Sequence, residues 1–187
     1  MNDDISPDFV PNDRDSEIIE WLLQIEKTPR AIQEFSKTCH LLTDYSYWFV
    51  LGTLWVSYSG WSDLKLWKRL FKGIRPNRET SLMKPSELAV YRQLPDVITA
   101  YRAHRTDETD WISYTLSPEI AGRFARERGV NTVTEYQLRK RNVIALFLRR
   151  EEQELIMLRP DRAQKIRPVP VITIDNGMEL HPRVMEG

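Results

Sequence analysis

The amino-acid pattern predicts an α+β chain, with a helical N-terminal region followed by a β-rich C-terminal unit that carries one inserted helix. Two observations predict it. From Asp15 to Leu94 apolar residues recur at the three- and four-residue spacing of amphipathic helices. After Leu94-Pro95-Asp96 they gather instead into short β-branched or aromatic runs divided by polar breaks. Composition adds that the chain folds: 41% apolar and 10% aromatic residues supply enough burial to offset the entropy lost on ordering. At 187 residues there is room for one core, or one core with an appendage.

Taken in order, residues 1–14 mix Asp, Asn and two prolines without periodicity and read as a flexible or surface-laid arm. Residues 15–94 form the helical region. Its first helix carries Ile18, Ile19, Leu22, Leu23 and Ile25, with Asp15 or Ser16 as the cap, and is broken at Thr28-Pro29. A second helix starts at Pro29 and uses Ile32, Phe35 and Cys39; a third spans residues 45–56; a fourth carries Leu64, Trp67, Leu70 and Phe71. Arg75-Pro76-Asn77 makes a loop before a last helix that Pro85 starts and Leu88, Tyr91 and Leu94 line. The apolar stretch from Trp48 to Val56 is interrupted by Gly52 and Thr53 and falls far short of the roughly 20 residues that span a bilayer, so it reads as a buried helix.

Residues 95–187 form the β-rich unit, with strands expected at 97–102, 111–115, 132–138, 143–148, 155–158 and 169–174. Between the second and third strands, Ser117 suits an N-cap, Pro118 a first helical position and Glu119 the positive end of the dipole. Ile120, Ala121, Phe124 and Ala125 form that helix's inner face.

Charge and composition narrow the function classes. Twenty-seven basic and 27 acidic residues cancel, so no global field draws the chain to nucleic acid or to an anionic membrane. A lone Cys39 forbids an internal disulfide, and Met1-Asn2-Asp3-Asp4 lacks the features of a signal peptide, which together predict a cytoplasmic protein. His40, His104 and His181 lack metal-ligand spacing, so no metal is expected. The seven glycines form no phosphate-cradling loop.

Three short features then follow one another: Ala100-Tyr101-Arg102-Ala103 at a strand end, Ile112-Ser113-Tyr114-Thr115 leading into a helix, and Glu152-Gln153-Glu154 running into the apolar residues 155–158. In this order and on these elements they resemble the arginine, serine and glutamate signature of toxin-like mono-ADP-ribosyltransferases. The resemblance covers residues 95–174. It implies an ADP-ribosyltransferase-like unit of split antiparallel sheets, with NAD as substrate and no metal.

In that family's terms, Arg102 holds the pyrophosphate or ribose of NAD, a task suited to a planar, permanently charged fork. Ser113 bonds NAD and orients the last glutamate, while Tyr114, Thr115 and Phe124 complete the NAD contacts. The serine element departs from the family pattern in reading Ser113-Tyr114-Thr115. Glu154, which runs straight into the strand, takes the nicotinamide-side ribose, where a fixed carboxylate stabilises the positive charge that develops as the glycosidic bond breaks. Glu152, two residues earlier, matches the family position that engages the acceptor, and residues two apart on an extended segment point to one side, as that pairing needs. A glutamate there resembles the members that modify arginine. His104, two residues after Arg102, is a further candidate for the same cleft.

The implied partner is a macromolecule, most simply a host protein, since small members with helical extensions occur among phage proteins and bacterial toxins. Two other classes remain open. One is a catalytically degenerate NAD-fold protein that inhibits a partner through Trp48, Trp55, Trp61 and Trp67. The other is a nucleic-acid binder using Arg123, Arg126, Arg128, Arg139, Lys140, Arg141, Arg149 and Arg150, which the neutral balance opposes.

Overall fold

A computed structural model describes residues 4–58 and 60–171. Of the expected features, strand residues 172–174 and His181 lie outside the described residues.

Helix α1 (Asp13–Gln24) is capped at least three residues earlier than expected, by Asn12, which accepts from the Asp15 amide at 3.0 Å. Asp15 is buried instead, where its carboxylate accepts from the Thr43 amide at 3.2 Å and from the Thr43 hydroxyl. That contact ties α1 to the start of α3. The preceding segment is pinned along the surface, with Asp8 accepting from the Ser81 hydroxyl at 3.1 Å and Asp4 from the Ser86 amide at 2.8 Å.

After α2 (Arg30–Thr38) and a 3-10 turn at Cys39–Leu41, helix α3 (Asp44–Ser57) runs through the centre of the core. It is apolar nearly all round, as a helix packed on several sides requires. Asp63 caps α4 (Leu64–Phe71) by accepting from the Leu66 amide at 3.1 Å. Helix α5 (Arg78–Leu82) was not expected, since Arg-Glu-Thr-Ser-Leu offers one apolar residue and no period; it exists to lower Leu82 into the core. In α6 (Pro85–Gln93), Glu87 accepts from the Lys84 amide at 2.8 Å and also pairs with Arg149 at 3.1 Å, a buried link between the helical region and the sheet.

Six strands, β1 (Val97–Arg102), β2 (Ser113–Thr115), β3 (Thr132–Arg139), β4 (Ala145–Phe147), β5 (Glu154–Ile156) and β6 (Gln164–Pro170), form one antiparallel sheet in the order β4-β5-β2-β1-β3-β6. The expected split sheets are instead one continuous six-stranded sheet, in which β1 and β3 pair at six positions and β1 meets the short β2 at the register pair Tyr101 with Thr115. β6 starts five residues before the expected 169: Pro168 and Pro170 obscured it in the sequence, and its edge position is what tolerates them.

Helix α7 (Pro118–Glu127) has the predicted cap, with the Ile120 amide donating to the Ser117 hydroxyl at 3.2 Å, and lies on the sheet over Ala103 and Val133. One hydrophobic core runs from Leu22, Phe35, Trp48 and Leu54 of the helices to Ile98, Leu138, Leu146 and Leu155 of the sheet. The boundary at 94/95 marks a change of element type across a continuous core. No helix of the described residues is long and apolar enough to cross a membrane.

Candidate functional site

Pairing of β2 with β5 decides which side chains meet. Thr115 stands opposite Glu154, and strand alternation puts Ser113 on the same face while turning Tyr114 to the other. Ser113 Oγ donates to Glu154 Oε1 at 2.5 Å, across 41 residues of sequence. The second oxygen, Oε2, accepts from the indole nitrogen of Trp55 on α3 at 3.0 Å. The sequence offers Trp55 only as one of a set of tryptophans; the structure places it in the wall of the cleft, bonded to Glu154, from the helical region. Glu154 is only 8% exposed, and burial raises its pKa above the ordinary 4.5, a rise that the Ser113 and Trp55 bonds and the Arg150 charge offset only in part.

The segment leading into Glu154 corrects one expectation. Glu151 and Gln153 have φ of 57° and 47°, in the left-handed region, so residues 151–153 are not extended and the same-side argument for Glu152 and Glu154 fails. Cross-strand bonds hold this bent backbone: Thr115 Oγ1 donates to the Glu152 carbonyl at 2.7 Å, and the Leu116 amide to the Gln153 carbonyl at 3.1 Å. The Glu152 carboxylate accepts from Arg150 at 2.9 Å and lies 3.9 Å from Arg123 of α7.

Arg102 closes β1 and is 9% exposed. Its Nη1 donates to the Ser113 carbonyl at 2.7 Å, which links it to the serine whose hydroxyl holds Glu154. Its Nε and Nη2 grip both oxygens of Glu108, at 3.0 and 2.6 Å. His104 bridges the same corner, with Nδ1 2.8 Å from Glu108 Oε2 and Nε2 2.7 Å from the Tyr136 hydroxyl. Burial pushes the Glu108 carboxyl up, but bonds from His104 and Arg102 and the Arg102 charge outweigh it and hold the group at about 2. Sequence reasoning missed Glu108. The available signal was the cluster Asp107, Glu108 and Asp110, five to eight residues after an arginine that needs a partner once buried.

Tyr114 packs its ring edge-on to Tyr136 at 5.4 Å and accepts from the Trp111 indole at 2.8 Å, and burial pushes its phenol well above the ordinary range. Its side chain belongs to the core face of β2. Thr115 staples the 151–153 bend to the start of α7, where its hydroxyl accepts from the Ser117 amide at 3.1 Å. Phe124, expected on the inner face of α7, is half-buried against Ala121 and Ala125, with the guanidinium groups of Arg123 and Arg128 each 5.3 Å from its ring.

All seven residues picked from the sequence, Arg102, Ser113, Tyr114, Thr115, Phe124, Glu152 and Glu154, line one cleft of about 1160 Å³. Its other wall comes from the helical region through Trp55, Trp67 and Trp61, the last 84% exposed. Among the described residues no group of three or more His, Cys, Asp or Glu is placed to hold a metal ion. The basic residues weighed for nucleic acid are partly spent internally: Arg149 pairs with buried Glu87, and Lys140 donates to the Arg92 and Leu94 carbonyls, both at 2.8 Å. What the cleft offers chemically is a desolvated carboxylate held at both oxygens, beside a guanidinium fork. No family model, curated protein or solved structure matches the chain.

Proposed function

We propose that this chain is a mono-ADP-ribosyltransferase, a glycosyltransferase that moves ADP-ribose from NAD to a macromolecular acceptor and releases nicotinamide. The observation that carries the reading is the bond from Ser113 to Glu154, which joins the serine and the glutamate that the family resemblance pairs for this reaction. In the reaction the bond between ribose C1′ and nicotinamide breaks, its electron pair leaves with nicotinamide, and positive charge grows on the sugar. Ionised Glu154 stabilises that charge in a site poor in water. The acceptor nucleophile then attacks C1′ and gives up its proton, for which the family resemblance assigns Glu152, whose carboxylate lines the same cleft. A volume of about 1160 Å³ exceeds the roughly 300–1,000 Å³ of ordinary small-molecule pockets, leaving room for a dinucleotide and an entering side chain.

The acceptor in this reading is a host protein and the modified group an arginine side chain, with the enzyme acting in the cytoplasm as phage proteins and toxins of this kind do. The test is direct. Nicotinamide release and transfer of label from biotinylated NAD are followed together in a bacterial lysate; a folded protein that gives neither at millimolar NAD overturns the reading. Within an active enzyme, Glu152→Gln is expected to reduce transfer to protein more than hydrolysis of NAD, because water needs less help as a nucleophile at an activated sugar. Equal losses remove the acceptor role of Glu152.

A second reading is favoured by one observation. Arg102, the group that would hold NAD phosphate, is already engaged by Glu108, as it would be in an inactive NAD-fold protein that works by binding and inhibiting a partner. Nicotinamide release separates the two.

A further inference from the structure

Arg102 offers the fork that a phosphate takes, and the fork is filled from within. Carboxylate and phosphate oxygens satisfy a guanidinium in the same bidentate way. The donors around Glu108 are also held by contacts that do not involve it: Arg102 by the Ser113 carbonyl, and His104 by the Tyr136 hydroxyl. Removing the carboxylate leaves those two donors in place.

We infer that Arg102, His104 and Arg105 form an oxyanion subsite whose resident occupant is Glu108, and that a diphosphate ligand enters by displacing this carboxylate. Naming the diphosphate as that of NAD rests on the proposed transferase reading; the displacement does not. Charge favours the exchange. Arg105 lies 3.8 Å from Glu108 and Arg102 grips both its oxygens, so two guanidinium groups address a single carboxylate, with a third, Arg128, bonded to the nearby Ala103 carbonyl. A diphosphate brings at least one more negative charge to the same donors.

Chain geometry allows the exit. Glu108 sits on residues 103–112, which carry no helix or strand between β1 and β2, in a turn where Asp107 takes φ of 60° and the Glu108 amide donates to the Arg105 carbonyl at 3.1 Å. Outside the Arg102 and His104 contacts, residues 104–109 hold one backbone hydrogen bond of their own, while the anchors lie at either side, at the Ala103 carbonyl bonded by Arg128 and at Asp110 paired with Lys68, so these six residues can swing without disturbing the sheet.

Two measurements with inorganic pyrophosphate in metal-free buffer test the inference. In calorimetric titration, Glu108→Gln is expected to bind pyrophosphate at least about tenfold more tightly than the parent, because an internal competitor lowers apparent affinity by the fraction of time the site is open. In hydrogen exchange on the parent, saturating pyrophosphate is expected to speed exchange of the amides of residues 104–110 as the turn is released. If Glu108 merely buttresses Arg102, the variant binds equally or more weakly and exchange slows; either result overturns the inference, as does absence of pyrophosphate binding in both proteins. Where Glu108→Gln does not fold, the exchange measurement on the parent decides alone. Tighter pyrophosphate binding without nicotinamide release in either protein upholds the subsite while removing the transferase reading.

Discussion

Glu108 and Glu154 line the same cleft, yet their surroundings push them in opposite directions. Glu108 is gripped by a guanidinium and an imidazole and is held at about 2. Glu154 is fixed by a hydroxyl and an indole, both neutral, and burial raises its pKa. The first carboxylate has its charge neutralised where it stands. The second keeps a charge that is costly to form and is therefore available to a cation that arrives later. Carboxylates driven apart in this way usually divide the labour of a site.

The largest expected effect tests the neutralised corner. Arg102→Ala leaves Glu108 buried beside His104 without its main partner, at a cost of about 3–5 kcal/mol, which in a chain of this size lowers Tm by on the order of 10 °C. For this reason it is not a clean probe of NAD binding. A thermal melt unchanged to within about 2 °C would show that the corner is not held by this pair at all.

Acid titration sets the two carboxylates against each other. The folded pKa of Glu108 lies below the unfolded value of 4.5, so its contribution, about 3 kcal/mol, is present above pH 4.5 and is lost as pH falls through about 2. Glu154 has the opposite sign: its raised folded pKa favours the folded state while the carboxyl is protonated, and that advantage fades as pH rises through the raised value. Urea midpoints from pH 7 to 3 should therefore drop at the acid end in the parent, and drop less in Glu108→Gln.

Next in size, Glu154→Gln should reduce nicotinamide release by about 10²-fold or more while its Tm at pH 7 equals or exceeds the parent's, since the charge it removes is a burden to folding. Full activity in this variant sinks the assignment. The smallest effect sharpens the comparison most. Trp55→Phe keeps the aromatic packing and removes one N–H, so kcat should fall about fivefold, or about 1 kcal/mol. Because that bond holds the Glu154 pKa down, the acid limb of the rate profile should also move to higher pH. A loss of rate with an unmoved acid limb assigns Trp55 to packing alone.

The sequence made these two corners legible to different degrees. Periodicity and cap chemistry locate the strand ends and the strand-to-helix junction, and the resemblance to an arginine, serine and glutamate signature is what picks out Arg102, Ser113 and Glu154 on them. Trp55 lies 99 residues from the carboxylate it serves and sits in a run whose hydrophobicity reads only as core. Nothing in a one-dimensional pattern assigns an indole N–H to a partner that far away. Glu108 stayed hidden because loop carboxylates are solvated by default. The bend at 151–153 was misread as extended because Glu and Gln rarely take positive φ, so only the three-dimensional path exposes it. The helix–sheet sequence of elements was readable throughout, but α5 and the proline-bearing β6 lacked the periodic signal that announces the rest.

A continuous core across residue 94 has a consequence for the order in which the polypeptide is made. The helices leave the ribosome first, at about 5–20 residues per second, and their inner faces carry Leu51 and Leu54, which belong to the same core as Leu155 and Ile156 of β5. For the whole time that residues 95–156 are being added, the nascent helical region shows an apolar face with no lid. A message truncated before Glu154 therefore yields a sticky helical remnant, and slowing translation through residues 95–156 should lower the soluble yield of the full chain more than slowing it through residues 1–60.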